Sequence, residues 1–157
     1  MDDTTLKHEL AKLPFFSDVD TAFLDILSNF ASQRHLAKDE VLFRQGDWAE
    51  AFYVVRSGKI LIEVPAISGP SLVIQRLGDG KVLGWSWLIP PFQWTFQARA
   101  EQATELLEFD GAGILAQCEE DPAFGYAILK RFSGLMSERL EAARRRMMDE
   151  WNPPGFA

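Results

Sequence analysis

The first segment of the chain has apolar residues at helical spacing. Leu6, Leu10 and Leu13 are separated by four and three residues, which predicts a short amphipathic helix that ends at the proline that follows. A second helix is expected to begin behind Asp18, whose carboxylate is a suitable N-cap. Its apolar side is formed by Phe23, Leu24, Ile26, Leu27 and Phe30. We therefore assign residues 1–33 to N-terminal helices.

The pattern then changes to short runs rich in β-branched and aromatic residues, with glycines between them. Several short strands at close spacing, separated by turn residues, are typical of a β-sandwich or β-barrel. The runs cover residues 41–43, 51–55, 59–64, 72–77, 95–100 and 105–109. They predict a β-roll over residues 34–109.

The last segment, residues 110–157, returns to helical spacing. Asp121 is expected to cap a long helix whose first residue is Pro122 and which extends to about Glu150. Its apolar positions are Leu129, Phe132, Met136, Leu140, Ala143 and Met147. They recur every three or four residues, which is the period of an α-helix. The Pro-Pro-Gly sequence at 153–155 is expected to end this helix.

The composition limits the function classes that the chain can serve. With 16 basic and 23 acidic residues the net charge is −7, which disfavours DNA or RNA as a partner. No apolar run is long enough for a membrane span, and the acidic start after Met1 lacks the features of a signal peptide. A single cysteine, Cys118, excludes an internal disulfide and, with only two histidines, a usual zinc site. We therefore expect a cytoplasmic protein without metal, nucleic-acid or membrane partners.

The candidate catalytic motifs are incomplete. Residues 84–88 read GWSWL and begin like the nucleophile elbow of a hydrolase, but Leu88 stands where that motif requires glycine. Cys118 is followed by Glu119 and Glu120, whose negative charges are expected to raise the pKa of its thiol and so lower its reactivity. We therefore predict that the protein is not an enzyme.

A glycine framework in the middle of the chain carries a family resemblance. Residues 41–63 read VLFRQGDWAEAFYVVRSGKILIE. This segment resembles the front of a cyclic nucleotide-binding domain, as in the catabolite activator protein and the regulatory subunit of protein kinase A, with Gly46 and Gly58 on the family's turn glycines. Residues 77–84 are similar to the lead into the family's phosphate-binding cassette. The resemblance covers roughly residues 13–148.

The resemblance implies an α+β fold: a double-stranded β-helix, or jelly-roll-like β-roll, flanked by N-terminal helices and one long C-terminal helix. In the family the cassette is a short helix whose N-terminal amides face the cyclic phosphate, which suits the partial positive charge of a helix N-terminus. A glutamate just after the cassette glycine holds the ribose hydroxyl. An arginine about ten residues later neutralises the phosphate.

The cassette of this chain departs from the family pattern at both charged positions. Residues 84–95 read GWSWLIPPFQWT. Trp85 stands where the resemblance places the glutamate, and Trp94 stands where it places the arginine. No basic residue lies between Lys81 and Arg99. Because the loss of a bidentate arginine typically costs a few kcal/mol of binding, we expect the ligand specificity to have changed.

Aromatic residues are crowded into and just after the cassette, namely Trp85, Trp87, Phe92, Trp94 and Phe96. They could form a pocket for a flat or apolar ligand, with Ser86 and Thr95 as polar guides, or they could fill the space of the nucleotide. The sequence leaves both interpretations open. The candidate ligand-binding residues are Gly84, Trp85, Ser86, Trp87, Leu88, Trp94, Thr95, Ile62, Ile74 and Leu77.

These observations predict a ligand-sensing regulatory module with altered ligand specificity and without a fused output domain. One alternative is a genuine cyclic AMP or cyclic GMP binding protein, and another is a structural or dimerisation module with a filled pocket. The expected partners are a cyclic nucleotide or other small molecule, a second copy of the chain bound through the long helix, and a separate output protein. In the family that helix also contacts the base, and the aligned positions here are Ala143 and Arg144.

Overall fold

Two four-stranded antiparallel sheets form the centre of the computed structural model, which describes residues 3–150. The strands are β1 (Ala31–Leu36), β2 (Val41–Phe43), β3 (Ala51–Ser57), β4 (Ile60–Val64), β5 (Leu72–Leu77), β6 (Val82–Leu83), β7 (Gln97–Ala100) and β8 (Thr104–Asp110). One sheet has the order β1-β8-β3-β6 and the other has the order β2-β7-β4-β5. The predicted α+β class and β-roll are confirmed.

Helices flank the roll on both sides, as predicted. They are α1 (Asp3–Ala11), a 3-10 helix (Pro14–Phe16), α2 (Thr21–Ser28), α3 (Gly111–Glu120) and α4 (Pro122–Glu150). The Asp121 carboxylate accepts a hydrogen bond from Phe124 N at 3.2 Å, so the predicted N-cap of α4 is confirmed. The N-cap of α2 is Asp20, which accepts from Ala22 N at 3.0 Å, so the prediction of Asp18 was wrong. None of the helices within residues 3–150 has both the length and the apolar character that crossing a bilayer requires.

The roll begins earlier than the sequence pattern indicated. Ala31 pairs with Phe109 of β8, and the pairing continues to Leu36 opposite Thr104. Residues 31–33, assigned above to the N-terminal helices, therefore belong to the sheet. β1 is an edge strand that is mostly exposed to solvent, so its apolar alternation is weak and periodicity alone does not reveal it.

Helix α4 has two apolar rows rather than the single stripe that the spacing predicted. The row that packs on the roll consists of the apolar residues Phe124, Ile128, Phe132 and Leu135, and the buried Arg139 continues it. Of the predicted stripe, Leu129, Leu140 and Met147 are exposed, with 72% exposure at Leu140. At about 100° per residue, the exposed row lies about a quarter turn away from the buried one. The predicted end of the helix at 153–155 lies outside the described residues.

Gly58 lies in the tight turn between β3 and β4 with a φ of +118°. A Cβ atom there would lie 2.7 Å from Thr104 Cα and 2.8 Å from Ala103 O. Gly58→Ala is therefore expected to lower the free energy of unfolding by about 2–5 kcal/mol, because backbone strain and a clash with main-chain atoms add. Urea denaturation followed by circular dichroism measures this loss.

Gly46→Ala is the matched control, because Gly46 also has a positive φ, of +93°, but has open space around it. It is expected to cost about 1–2 kcal/mol, the cost of the left-handed backbone alone. Equal losses in the two variants would contradict the role assigned to the Thr104 contact.

Candidate ligand pocket

Residues 84–96, which connect β6 to β7, are called the cassette segment below. The segment runs as a series of turns, in which Leu88 N donates to Trp85 O and Phe92 N donates to Ile89 O, each at 3.0 Å. The short helix that the family resemblance implies is not formed within these described residues. Residues 90 and 91 are both prolines, which lack the amide hydrogen that a helix would use.

The C-terminal part of the cassette segment is fixed to the loop between β2 and β3. Trp94 O accepts a hydrogen bond from Gly46 N at 2.8 Å, and Trp94 N donates to Asp47 O at 2.9 Å. Ala49 N donates to Phe92 O at 2.7 Å. The backbone on both sides of the Trp94 ring is therefore held against the roll.

A small cavity lies between the cassette segment, the roll and α4. Its walls are Phe43, Ile62, Leu83, Gly84, Trp85, Ser86, Trp94, Thr95, Phe96 and Arg139. The structure thus brings together six of the predicted site residues, namely Ile62, Gly84, Trp85, Ser86, Trp94 and Thr95. Its free volume is about 20 Å³, close to the space of one water molecule and far below the roughly 300–1,000 Å³ of ligand pockets. A role for these residues in ligand binding stays a prediction.

The other four predicted site residues do not line this cavity. Trp87 is a core residue with 2% exposure, and its ring packs against Phe132 at 5.2 Å between ring centroids. Its indole Nε1 donates to Gly84 O at 3.0 Å, which satisfies the buried donor. Leu77 and Leu88 pack in or against the hydrophobic core, and Ile74 faces a groove beside β5.

The Trp94 ring lies against Gly84, the first residue of the cassette segment. The ring also stacks on Phe43 with a centroid distance of 3.7 Å and an interplanar angle of 8°. A Cβ atom on Gly84 would lie only 2.9 Å from Trp94 Cη2, so the glycine is required for this close approach. The ring is therefore part of the packed core, with 6% of the residue exposed.

Trp85 forms a looser wall of the same cavity. It is half-buried, and its ring makes an edge contact with Phe96 at 6.1 Å between centroids and 72° between planes. Phe96 is half-buried as well. The pair therefore has room to move toward solvent, which the stacked Trp94 ring lacks.

Arg139 of α4 brings a positive charge to the cavity wall. Its Nη2 donates to Val82 O, and its Nη1 donates to Glu138 Oε1 at 3.0 Å. Burial lowers the pKa of its guanidinium, but an arginine remains charged at neutral pH. Arg139 was not among the predicted site residues. It follows Phe124, Ile128, Phe132 and Leu135 at helical spacing, and this spacing could have indicated that Arg139 faces the roll.

The positions that the family alignment assigned to base contacts lie elsewhere. Neither Ala143 nor Arg144 lines the cavity. Arg144 is exposed and pairs with Glu141 at 2.7 Å within the same helix. The helix meets the cavity about one turn earlier, at Arg139. The apolar wall residues Phe43, Leu83 and Phe96 were also not among the predicted site residues.

The expected rise in the pKa of the Cys118 thiol is confirmed. Burial, followed by the negative charges of Glu119 and Asp121, raises the pKa of its thiol to about 11. Burial raises this pKa more than the neighbouring negative charges do. The second contributing carboxylate is Asp121 rather than the predicted Glu120. Within residues 3–150 no group of acidic, histidine and cysteine side chains has the arrangement of a metal site.

Comparison with known families identifies the fold. The model of the cyclic nucleotide-binding domain matches residues 33–121, which is more than half of the chain. The chain belongs to the cyclic nucleotide-binding domain family. The resemblance carried by the glycine framework is thereby confirmed.

Relatives of this cyclic nucleotide-binding domain occur in larger proteins. A Rhodopseudomonas palustris protein named as a potassium channel is 26% identical over 132 residues, which are 83% of this chain and 31% of that protein. The cyclic AMP receptor protein of Thermus thermophilus is 25% identical over 130 residues, which are 83% of this chain and 58% of the relative. The chain therefore spans less than two thirds of the length of either relative.

A solved structure shows the same fold along nearly the whole chain. The cyclic nucleotide-binding domain from Methylobacillus flagellatus matches with a TM-score of 0.78 and covers 98% of this chain and 86% of that one. The sequence identity is 15%, so this likeness concerns the fold alone.

The packing of the two cassette tryptophans predicts different stability effects. Trp94→Ala is expected to lower the free energy of unfolding by about 3–5 kcal/mol, because it removes a ring from the core. Trp85→Ala is expected to cost about 1–2 kcal/mol, because its ring is only half-buried. Urea denaturation of both variants, with the exposed Trp48→Ala as the control for loss of a tryptophan, measures the difference. A loss for Trp85→Ala as large as that for Trp94→Ala would contradict the assignment of a loose outer wall.

Proposed function

We propose that this domain is a ligand-sensing regulatory module whose ligand differs from cyclic AMP and cyclic GMP. The observation that carries the proposal is the position of Trp85 and Trp94 in the cavity wall. Both stand where the family resemblance places the charges that hold the ribose and the phosphate. The module is not an enzyme; its task is to change shape or partners when a ligand enters.

The physical chemistry of the cavity supports altered specificity. A cyclic phosphate needs several hydrogen-bond donors and a compensating positive charge. The cassette segment contributes neither an arginine nor a lysine between residues 84 and 96. Its tryptophan and phenylalanine rings instead offer apolar faces to a flat or apolar ligand. Ser86 and Thr95 are the polar guides that would orient such a ligand.

Isothermal titration calorimetry with cyclic AMP and cyclic GMP tests this proposal. No binding is expected at micromolar concentrations, because the family's acid and base are replaced by tryptophans and the cavity holds about 20 Å³. The Thermus thermophilus relative named as a cyclic AMP receptor protein serves as the positive control. Micromolar affinity for either nucleotide would overturn the proposal in favour of a genuine cyclic nucleotide-binding protein.

Helix α4 is the element through which the ligand signal leaves the pocket. The Phe132 ring packs against Trp87 of the cassette segment at 5.2 Å and against Phe52 of β3 at 4.9 Å. Arg139, two turns further on, reaches the cavity itself. A ligand that displaces the cassette segment therefore changes the packing of α4, and two-state packing of this kind is a common basis of switching.

A second candidate function is a structural module with a filled pocket. The small cavity volume and the stacking of Trp94 on Phe43 favour it. The two functions differ in whether a small molecule enters the cavity once its outer wall at Trp85 is opened. Entry of a molecule supports the sensor, and a cavity that stays closed supports the structural module.

The proposed assembly is a homodimer through α4. Leu129, Leu140 and Met147 form a row of exposed apolar side chains on this helix, about a quarter turn from the buried row. Such a row would be covered if the helix paired with a second copy across a two-fold axis. We place the dimer in the cytoplasm, where it would act on a separate output protein.

Light scattering after size-exclusion chromatography tests the dimer. The wild-type chain is expected to have the mass of a dimer at micromolar concentrations, and Leu140→Glu is expected to give a monomer by placing a charge in the apolar row. Gly134→Glu is the matched control, since it adds the same charge at an exposed position with open space on the other side of α4. A monomeric wild type, or a Leu140→Glu variant that remains dimeric, would contradict the assembly.

A further inference from the structure

Arg139 is the one charged side chain in the wall of the cavity formed by the described residues. It comes from α4, whereas the family resemblance places the ligand's positive partner in the cassette. The remaining walls are aromatic or aliphatic side chains, the Gly84 backbone and the hydroxyls of Ser86 and Thr95. The cavity therefore combines apolar faces with a single positive charge at one side.

The guanidinium of Arg139 has donors left for a ligand. A guanidinium carries five N–H donors, and its hydrogen bonds within residues 3–150 go to Val82 O and Glu138 Oε1. Arg139 has 4% exposure, whereas the side chain of Glu138 is 56% exposed. Because its carboxylate partner lies largely in solvent, the charge of the buried guanidinium is only partly compensated.

Arg139 also lines a larger surface depression. That depression has a volume of about 310 Å³ and is lined by Arg139 together with Lys81, Gly80 and Leu135. Asp79 and Glu138 are the acidic groups at its edge. An anionic group bound to Arg139 would thus contact a residue that the aromatic cavity and this depression share.

We propose that the ligand of this pocket is a small organic anion with an aromatic or apolar body and without the ribose and cyclic phosphate of a cyclic nucleotide, and that Arg139 binds its anionic group. This inference rests on the proposed ligand-sensing function and assigns the chemical class of the ligand. The body would lie beside the stacked Trp94 ring, in the space that opens when the half-buried Trp85 ring moves toward solvent. The anionic group would compete with Val82 O for the guanidinium, which couples binding to the attachment of α4 on β6.

Arg146 provides a matched control on the same face of α4. It lies seven residues after Arg139, two helical turns away, and its Nε donates to Val73 O of β5 at 2.9 Å. It therefore makes the same kind of contact with a strand carbonyl but does not line the cavity. A substitution there reproduces the loss of a helix-to-strand hydrogen bond without changing the cavity wall.

The test uses the Trp85→Ala variant, which opens the outer wall, and three probes that share an indole body. Indole measures entry into the cavity, indole-3-carboxylate carries a negative charge, and indole-3-carboxamide is its neutral match. Calorimetric titration is expected to show binding of indole and at least about tenfold tighter binding of the carboxylate than of the carboxamide. Adding Arg139→Gln is expected to remove this preference, and adding Arg146→Gln is expected to preserve it.

The outcomes separate the two proposals. Binding of indole without a preference for the carboxylate overturns the assignment of an anion but supports a ligand cavity. A preference that survives Arg139→Gln in a variant with native circular dichroism overturns the role of Arg139. Failure of all three probes to bind Trp85→Ala contradicts the ligand cavity itself, and the inference fails with it. Should Arg139→Gln not fold, the Nε–H NMR signal of Arg139 in Trp85→Ala decides: a shift with the carboxylate but not with the carboxamide supports its role, and no shift with either overturns it.

Discussion

The packing of Phe132 joins the three parts of the domain. Its ring contacts Phe15 near the N-terminal helices at 5.1 Å, Phe52 of β3 at 4.9 Å and Trp87 of the cassette segment at 5.2 Å between ring centroids. All three contacts are edge-on, the arrangement that aromatic quadrupoles favour. The orientation of α4, the inward direction of Trp87 and the position of the segment that closes the cavity all depend on this cluster.

Two arginines extend the attachment of α4 along the open edges of the roll. β6 is the edge strand of one sheet and β5 is the edge strand of the other. Arg139 donates to Val82 O of β6, and Arg146 donates to Val73 O of β5. The helix thereby donates to carbonyls on the edge strands of both sheets, where one side of the strand has no neighbouring strand within residues 3–150. The same helix consequently holds both sheets and forms part of the pocket wall.

The pocket combines a packed aromatic wall with a positively charged side chain. Gly84 keeps its left-handed conformation, with a φ of +101°, yet the adjacent space is occupied by the Trp94 ring. Within the described residues, the site contains one positively charged side chain, because Arg139 of α4 lines the cavity. The altered specificity that we propose follows from this combination of an aromatic cavity and a positive charge.

Much of the architecture could be predicted from local patterns. The glycine framework indicated the family, and the short strands together with the Asp121 cap indicated the roll and α4. Local patterns were weaker where an element is polar, as in β1, or where a helix carries two apolar rows, as in α4. For the site, they identified the cassette segment but could not distinguish Trp87, which faces the core, from Trp85, which faces the cavity.

The sequence by itself determined the fold family, and the family resemblance placed Trp85 and Trp94 at two positions where charges are expected, because both inferences depend on residue types at short spacings. Only the tertiary structure decided how much space remains at the site and which charge reaches it. Free volume depends on how the Trp94 ring packs on Phe43, and Arg139 is distant from the cassette along the chain. The packing of α4 across the roll brings these residues together, and no local pattern contains that information.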